Sequence, residues 1–235
     1  MRLDQYLVSS GFFESRSKAK AEIEAGRIKV SGIVVTKPAF DVEENPDIEI
    51  LSGTLEYVSR GGLKLEKALD YFKIDPKDKV CLDIGASTGG FTHCLIKRGA
   101  KEVYSIDVGT LQLHPSLRSN PKVHSYESTN FLDFDTNGLG IELVVIDVSF
   151  VKVETILEKV IRDLKGATVV FLIKPQFELG HISLKNGIVK DKGLREKVLN
   201  QIRTFLNERG ITPNEIIESP IEGGSGNIEY LTYFA

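Results

Sequence analysis

The chain has 235 residues, 41% hydrophobic and 27% charged, with a formal net charge of −3. That length suffices for one large domain and a small one, and the acidic balance excludes a protein that binds nucleic acid over its whole surface. The two cysteines, Cys81 and Cys94, argue against a disulfide framework and supply too few thiols for a zinc site, so no metal is expected and a reducing cytoplasm is the expected location. No apolar run approaches the ~20 residues that span a bilayer, and the opening MRLDQYLVSSGFF has no signal-peptide core, so no membrane partner is expected.

In chain order, RLDQYLVSSGFF places Leu3, Tyr6, Leu7 and Ser10 at helical spacing and ends at Gly11. SRSKAKAEIEAG predicts a second helix between Ser15 and Gly26. RIKVSGIVV predicts two short strands around Ser31-Gly32, and DIEIL a third. From about Ala68 the texture changes to alternating strand and helix. The strand candidates are KVCLDIG, EVYSIDV, KVHSYES, LVVIDVS, TVVFLIK, EIIESPI and EYLTYF. Helical stretches between them include ETILEKVIRDLKG and LREKVLNQIRTFLNERG, the latter with Leu194, Val198, Ile202 and Leu206 on one face. The expected fold class is α/β, a Rossmann-like, mostly parallel sheet covered on both sides. Only EGGSGN joins the last two strands, too short for a crossover helix, so that pair should be antiparallel.

The first strand of this region runs into DIGASTGGF, with Asp83, Gly85, Ala86, Ser87, Gly89 and Gly90. Small residues let backbone approach a ligand closely, and a helix starting near Gly90 would present free N–H groups. The next strand ends in Asp107, which can accept hydrogen bonds from the two hydroxyls of a ribose. A dinucleotide site wants G-x-G-x-x-G, whereas this turn reads G-x-S-x-G-G. An acid at Asp83 would repel a pyrophosphate and suit a cationic amino-acid ligand. The pattern points to S-adenosylmethionine and a methyltransferase. A substituent at Gly89 is expected to intrude where backbone meets ligand. The same stretch contains the G-x-S-x-G of a hydrolase elbow around Ser87, but His93, His114, His124 and His181 offer no base in the expected place.

Further on, Asp147 ends LVVID, Lys174 ends VVFLIK before Pro175, and Glu229 opens the last strand. Lys64 lies on the helix before the first sheet strand. All four can converge on the carboxyl edge of the sheet, positioned for acid–base chemistry. A structural ion-pair network is the competing reading.

Together, YVSRGGLKLEKAL, DIGASTGGFTHCL, DVSF, LIKPQFELG and SPIEGGSGNIEYL make the chain resemble the TlyA (haemolysin A) family of ribosomal RNA methyltransferases, whose catalytic domain is similar to the FtsJ/RrmJ type. The resemblance implies 2′-O-methylation of a ribose, of cytidine, in ribosomal RNA, by a tetrad matching Lys64, Asp147, Lys174 and Glu229. It implies cofactor contacts from Asp83, Gly85, Ala86, Ser87, Gly89, Gly90, Phe91, Asp107, Val108, Asn130 and Asp147. The stretch KDKGLREKV departs from the family by lacking a histidine after GIV. Short family members imply a large-subunit target, so the expected partner is ribosomal RNA or a ribosomal subunit.

The first 50 residues resemble the alpha-L RNA-binding domain. From Arg2 to Lys37 there are seven basic and four acidic side chains, a local positive excess in an acidic protein. The expected RNA contacts are Arg2, Arg16, Lys18, Lys20, Arg27 and Lys29. The expected organisation is an RNA-binding domain over 1–50, a linker over 51–58 and a methyltransferase domain over 59–235. The family's older name raises a cytolysin, and the fold alone allows a non-catalytic ribosome-assembly protein. An intact glycine turn and tetrad argue against the second.

Overall fold

The computed structural model describes residues 1–13, 15–24, 26–50, 57–180, 187–223 and 226–235, without the side chain of Lys18. Most of the expected linker, part of the EGGSGN link and His181 lie outside the described residues. Packing divides the chain into two compact units, Met1–Arg60 and Gly61–Ala235.

In the first unit, α1 (Leu3–Ser9) and α2 (Arg16–Glu24) pack beside strands β1 (Ile28–Val30), β2 (Ile33–Val35) and β3 (Ile48–Ile50), in the sheet order β2-β1-β3. All pairs are antiparallel. Ser31 and Gly32 both take positive φ, 50° and 81°, as a two-residue hairpin requires. Leu3, Leu7, Ala19, Ile23, Ile28 and Val30 fill a small core.

The second unit begins with α3 (Gly61–Phe72), followed by β4 (Val80–Ile84), α4 (Gly90–Lys97), β5 (Glu102–Ile106), α5 (Pro115–Arg118), β6 (Val123–Tyr126) and a 3-10 turn at Phe131–Asp133. Then come β7 (Leu143–Ile146), α6 (Val153–Asp163), β8 (Thr168–Ile173), α7 (Pro175–Glu178), α8 (Lys192–Asn207), β9 (Ile217–Glu218) and β10 (Tyr230–Phe234). Every strand candidate of the sequence is present. The sheet order is β6-β5-β4-β7-β8-β10-β9. Strands β4 to β8 run parallel, and β10 is antiparallel to both β8 and β9, the direction that the short link dictates.

Strands β7 and β8 are apolar on both faces because helices cover both sides. Leu157 and Val160 of α6 and Val198, Ile202 and Leu206 of α8 share one core with Leu82, Val144 and Phe171. Successive strand residues face opposite ways, so Cys81 and Asp83 point to the other side, where α3 and α4 pack on each other. The chain runs outward from β4 through β5 to β6, then returns to place β7 on the other flank of β4. That reversal opens a crevice at the carboxyl ends of β4 and β7, where open α/β sheets bind ligands.

Candidate active site

Gly85 follows β4 at φ 87°, and a Cβ there would lie 2.5 Å from the Asp147 carbonyl oxygen. Only glycine lets the end of β4 lie against the end of β7. Ser87 also takes positive φ, 47°. Its amide donates to Asp107 Oδ2 at 2.7 Å, while the Gly109 amide donates to Asp107 Oδ1 at 2.7 Å. Asp107 therefore fastens the glycine turn and still has lone pairs on both oxygens. These residues open into a cavity of about 540 Å³, lined also by Val108, Asn130 and Asp147. That volume is within the range of small-molecule sites. Asn130 is held by its own turn, its Oδ1 accepting from the Leu132 amide at 3.0 Å.

The lining has two carboxylates, Asp107 and Asp147, and no lysine, arginine or histidine. Asp147 is already paired with Lys174, so Asp107 is the carboxylate left to favour a cationic ligand over a pyrophosphate. Sequence reasoning missed Gln112, Thr129, Phe131, Leu132, Ser149 and Phe150, which also line it. The only available signal was their place three to six residues beyond the ends of β5, β6 and β7.

Other turn residues sit differently from expectation. Asp83 is fully buried and does not line the cavity. Its Oδ2 accepts from Thr92 Oγ1 at 2.6 Å, and Thr92 Oγ1 lies 2.7 Å from Ser105 Oγ. The acid thus caps the first turn of α4 from beneath, and among the described residues its Oδ1 has no hydrogen-bond partner. Ala86, Gly90 and Phe91 are also buried away from the cavity. Gly89, at φ 93°, would direct a side chain into Leu113 and Leu117, so a substituent there strains the fold instead of blocking a ligand.

Burial pushes the Asp83 carboxyl up to about 7, against the Thr92 hydrogen bonds and with help from the Asp147 charge. Since the unfolded chain ionises near the ordinary value, the folded state holds an extra proton between about pH 4 and 7. Stability therefore falls as pH rises through that window and stays reduced above it. Asp83→Asn should remove this penalty, of order 4 kcal/mol by linkage. The variant should gain several degrees in melting temperature over the parent at pH 8 but not at pH 4. Equal gains at both pH values would refute it.

The four strand-end residues form two ion pairs. Lys174 Nζ lies 2.5 Å from Asp147 Oδ1 and donates to Ser149 Oγ at 2.9 Å. Lys64 Nζ, from α3, donates to Glu229 Oε2 at 2.5 Å. Gln176 Nε2, on α7 two residues after Lys174, donates to Glu229 Oε1 at 3.5 Å. All four side chains are at most one-fifth exposed. Of the hydrolase reading's candidate bases among the described residues, His114 caps α5 and His124 stacks on Tyr104 beside Glu102.

In the small unit, most of the expected RNA-contacting cations have carboxylate partners. Arg2 and Arg16 both clamp the buried Asp4, at 3.0 and 2.8 Å. The Arg2 hydrogen bond holds the Asp4 carboxyl down at about 2. Arg27 pairs with Glu22, Lys29 with Glu49 at 3.1 Å, and Lys20 with Glu24 at 3.6 Å. The Lys18 side chain lies outside the described residues.

Residues 57–235 match the FtsJ-like methyltransferase family and residues 1–48 the S4 domain. The chain is 45% identical to Hemolysin A of Brachyspira hyodysenteriae, over 100% of its own length and 99% of that protein. It is 37% identical to the 16S/23S rRNA (cytidine-2′-O)-methyltransferase TlyA of Mycobacterium tuberculosis, over 99% of its own length and 88% of that protein. A solved hemolysin structure from Streptococcus thermophilus superposes with a TM-score of 0.76 at 40% identity, covering 100% of this chain and 87% of that one. An S4 domain followed by this sheet, with end-to-end likeness to such relatives, means that the chain belongs to the TlyA (hemolysin A) line of the FtsJ-like methyltransferases.

Proposed function

We propose that this chain methylates a ribose 2′-hydroxyl of a cytidine in ribosomal RNA, with S-adenosylmethionine as methyl donor. The observation that carries the reading is the Lys174–Asp147 ion pair at a cavity of about 540 Å³ that Asp147 and Asp107 line, with a second, buried ion pair, Lys64–Glu229, formed by the other two strand-edge candidates. When bound, the cofactor supplies an electrophilic methyl group on a sulfonium. Gly85, Ser87, Asp107, Val108, Asn130 and Asp147 would hold it, and Asp83 would favour its positive charge through the field from beneath the turn. Lys174, fixed by Asp147 and Ser149, manages the proton and the developing negative charge of the 2′-hydroxyl. Lys64 and Glu229 orient that hydroxyl. Phe150 stands 91% exposed at the cavity, its ring 4.9 Å from Phe177. It offers a face on which a nucleobase can stack.

The small unit would bring in the RNA. Lys20 and Lys29 sit in exposed pairs worth little in themselves, so they can exchange a carboxylate for a phosphate, whereas Arg2 and Arg16 are committed to Asp4. A ribosomal substrate would place the work in the cytoplasm. Among the described residues no helix is long and apolar enough to cross a membrane.

The test is methyl transfer from labelled cofactor to large- and small-subunit RNA, free and in subunits, mapped as alkali-resistant ribose. Label on a base, or on neither RNA, would refute the reading. Lys20→Ala with Lys29→Ala should weaken RNA binding and flatten the log–log salt slope by about 1–2, with cofactor affinity unchanged. An unaltered slope would remove these lysines from the RNA contact.

A further inference from the structure

The segment that carries Asp147, Ser149 and Phe150 to the cavity is poorly fastened by its own backbone. Among the described residues, the amides of Val148, Ser149, Phe150, Val151 and Lys152 donate no hydrogen bond. Phe150 nevertheless holds a φ of 64°, a conformation that an L residue with a bulky side chain keeps only when its surroundings impose it. Three side chains reach across from the start of α7. Lys174 meets Asp147 and Ser149, and Phe177 meets Phe150. At the far end, Glu178 Oε1 accepts the Val153 amide at 3.0 Å.

Glu178 is only 7% exposed and does not line the cavity. Its bond supplies what α6 otherwise lacks, since the N-cap residue Lys152 makes no side-chain cap. Keeping a carboxyl buried here is costly: burial pushes it up to about 7, with Glu154 adding to the effect and Lys152 opposing it. An ordinary helix cap could have come from a serine or aspartate at position 152 without that burial.

We propose that Glu178 is a positioning residue for methyl transfer, holding the Ser149–Phe150 corner against the helix that bears Lys174. The inference rests on the methyltransferase reading above. Its geometry makes a prediction that catalysis alone does not. Glu178→Ala frees the Val153 amide, whereas Glu178→Gln keeps an oxygen acceptor in the same place. Val153→Pro removes the bond from the donor side. Proline is tolerated at the first helical position, and Lys152, at φ −68° and ψ 133°, already has the backbone that a following proline requires.

Amide hydrogen exchange and single-turnover methyl transfer at saturating cofactor and RNA would be measured on the parent and all three variants. Exchange of the Val153 amide should accelerate in Glu178→Ala and keep the parent rate in Glu178→Gln, while Val153→Pro, which has no amide there, is read by its transfer rate. Single-turnover rate should fall about 10- to 100-fold in the first two, the scale of a misplaced catalytic group. It should be restored in Glu178→Gln. If Glu178→Ala fails to fold, Val153→Pro and Glu178→Gln still decide. Accelerated exchange with a normal rate would make Glu178 a stabilising cap alone and overturn the proposal. A parent protein that transfers no methyl group to ribosomal RNA would instead overturn the reading beneath it.

Discussion

Lys174→Ala should slow methyl transfer by about 10²–10⁴-fold, the usual contribution of a positioned acid–base group, while cofactor and RNA still bind. A ribose hydroxyl is a weak nucleophile at neutral pH, so its attack on the methyl group depends on how its proton and charge are handled. Lys174 caps α7 directly after the fully buried end of β8, which leaves its backbone little freedom. Its ammonium is fixed from two sides, by Asp147 Oδ1 at 2.5 Å and Ser149 Oγ at 2.9 Å, and its partner Asp147 lines the cavity. Removing it takes away the point charge that Asp147 and Ser149 hold in place. Arginine should not rescue the loss, because a planar guanidinium cannot occupy the compact site of an ammonium. Single-turnover transfer from labelled cofactor is the measurement, with cofactor affinity by calorimetry as its control. Near-normal transfer would assign the proton to another group.

The strands were readable because each is a short apolar run ending in a polar residue, and that same feature marked Asp107, Asp147 and Lys174. What strand-end position cannot reveal is direction. Asp83 is the fourth residue of β4, one before its end, and the pleat turns it toward α4 and Thr92 instead of the crevice. Pairing was equally hidden. Four charged residues could be named from the sequence, but Lys64 and Glu229 are separated by 165 positions, and only the placing of β10 beside β8 brings them together. DVSF reads as the tail of a strand, yet the strand stops at Ile146 and the rest forms a wall of the cavity. In the small unit the positive excess was legible from composition, whereas the carboxylates that engage Arg2, Arg16 and Arg27 depend on how α1, α2 and the following turn pack.

Lys64→Ala or Glu229→Ala should abolish most methyl transfer and also destabilise the fold. The pair is nearly dry, with side chains 10% and 3% exposed. Removing one member strands the other charge in a poorly solvated place, a loss of about 3–5 kcal/mol. The surroundings are built for the carboxylate: a Cβ at Gly223 would collide with it, and Gln176 donates to its second oxygen. Replacing both residues together, as Lys64→Met with Glu229→Leu, removes both charges and fills similar volume, so most of the stability should return. Activity should not. That separation is the decisive feature, because a purely structural ion pair would recover transfer along with stability. Chemical denaturation and single-turnover transfer on the two single variants and the double variant provide the test. A double variant that folds and transfers methyl at the parent rate would leave Lys174 and Asp147 as the working pair and reduce Lys64–Glu229 to a strut between α3 and β10.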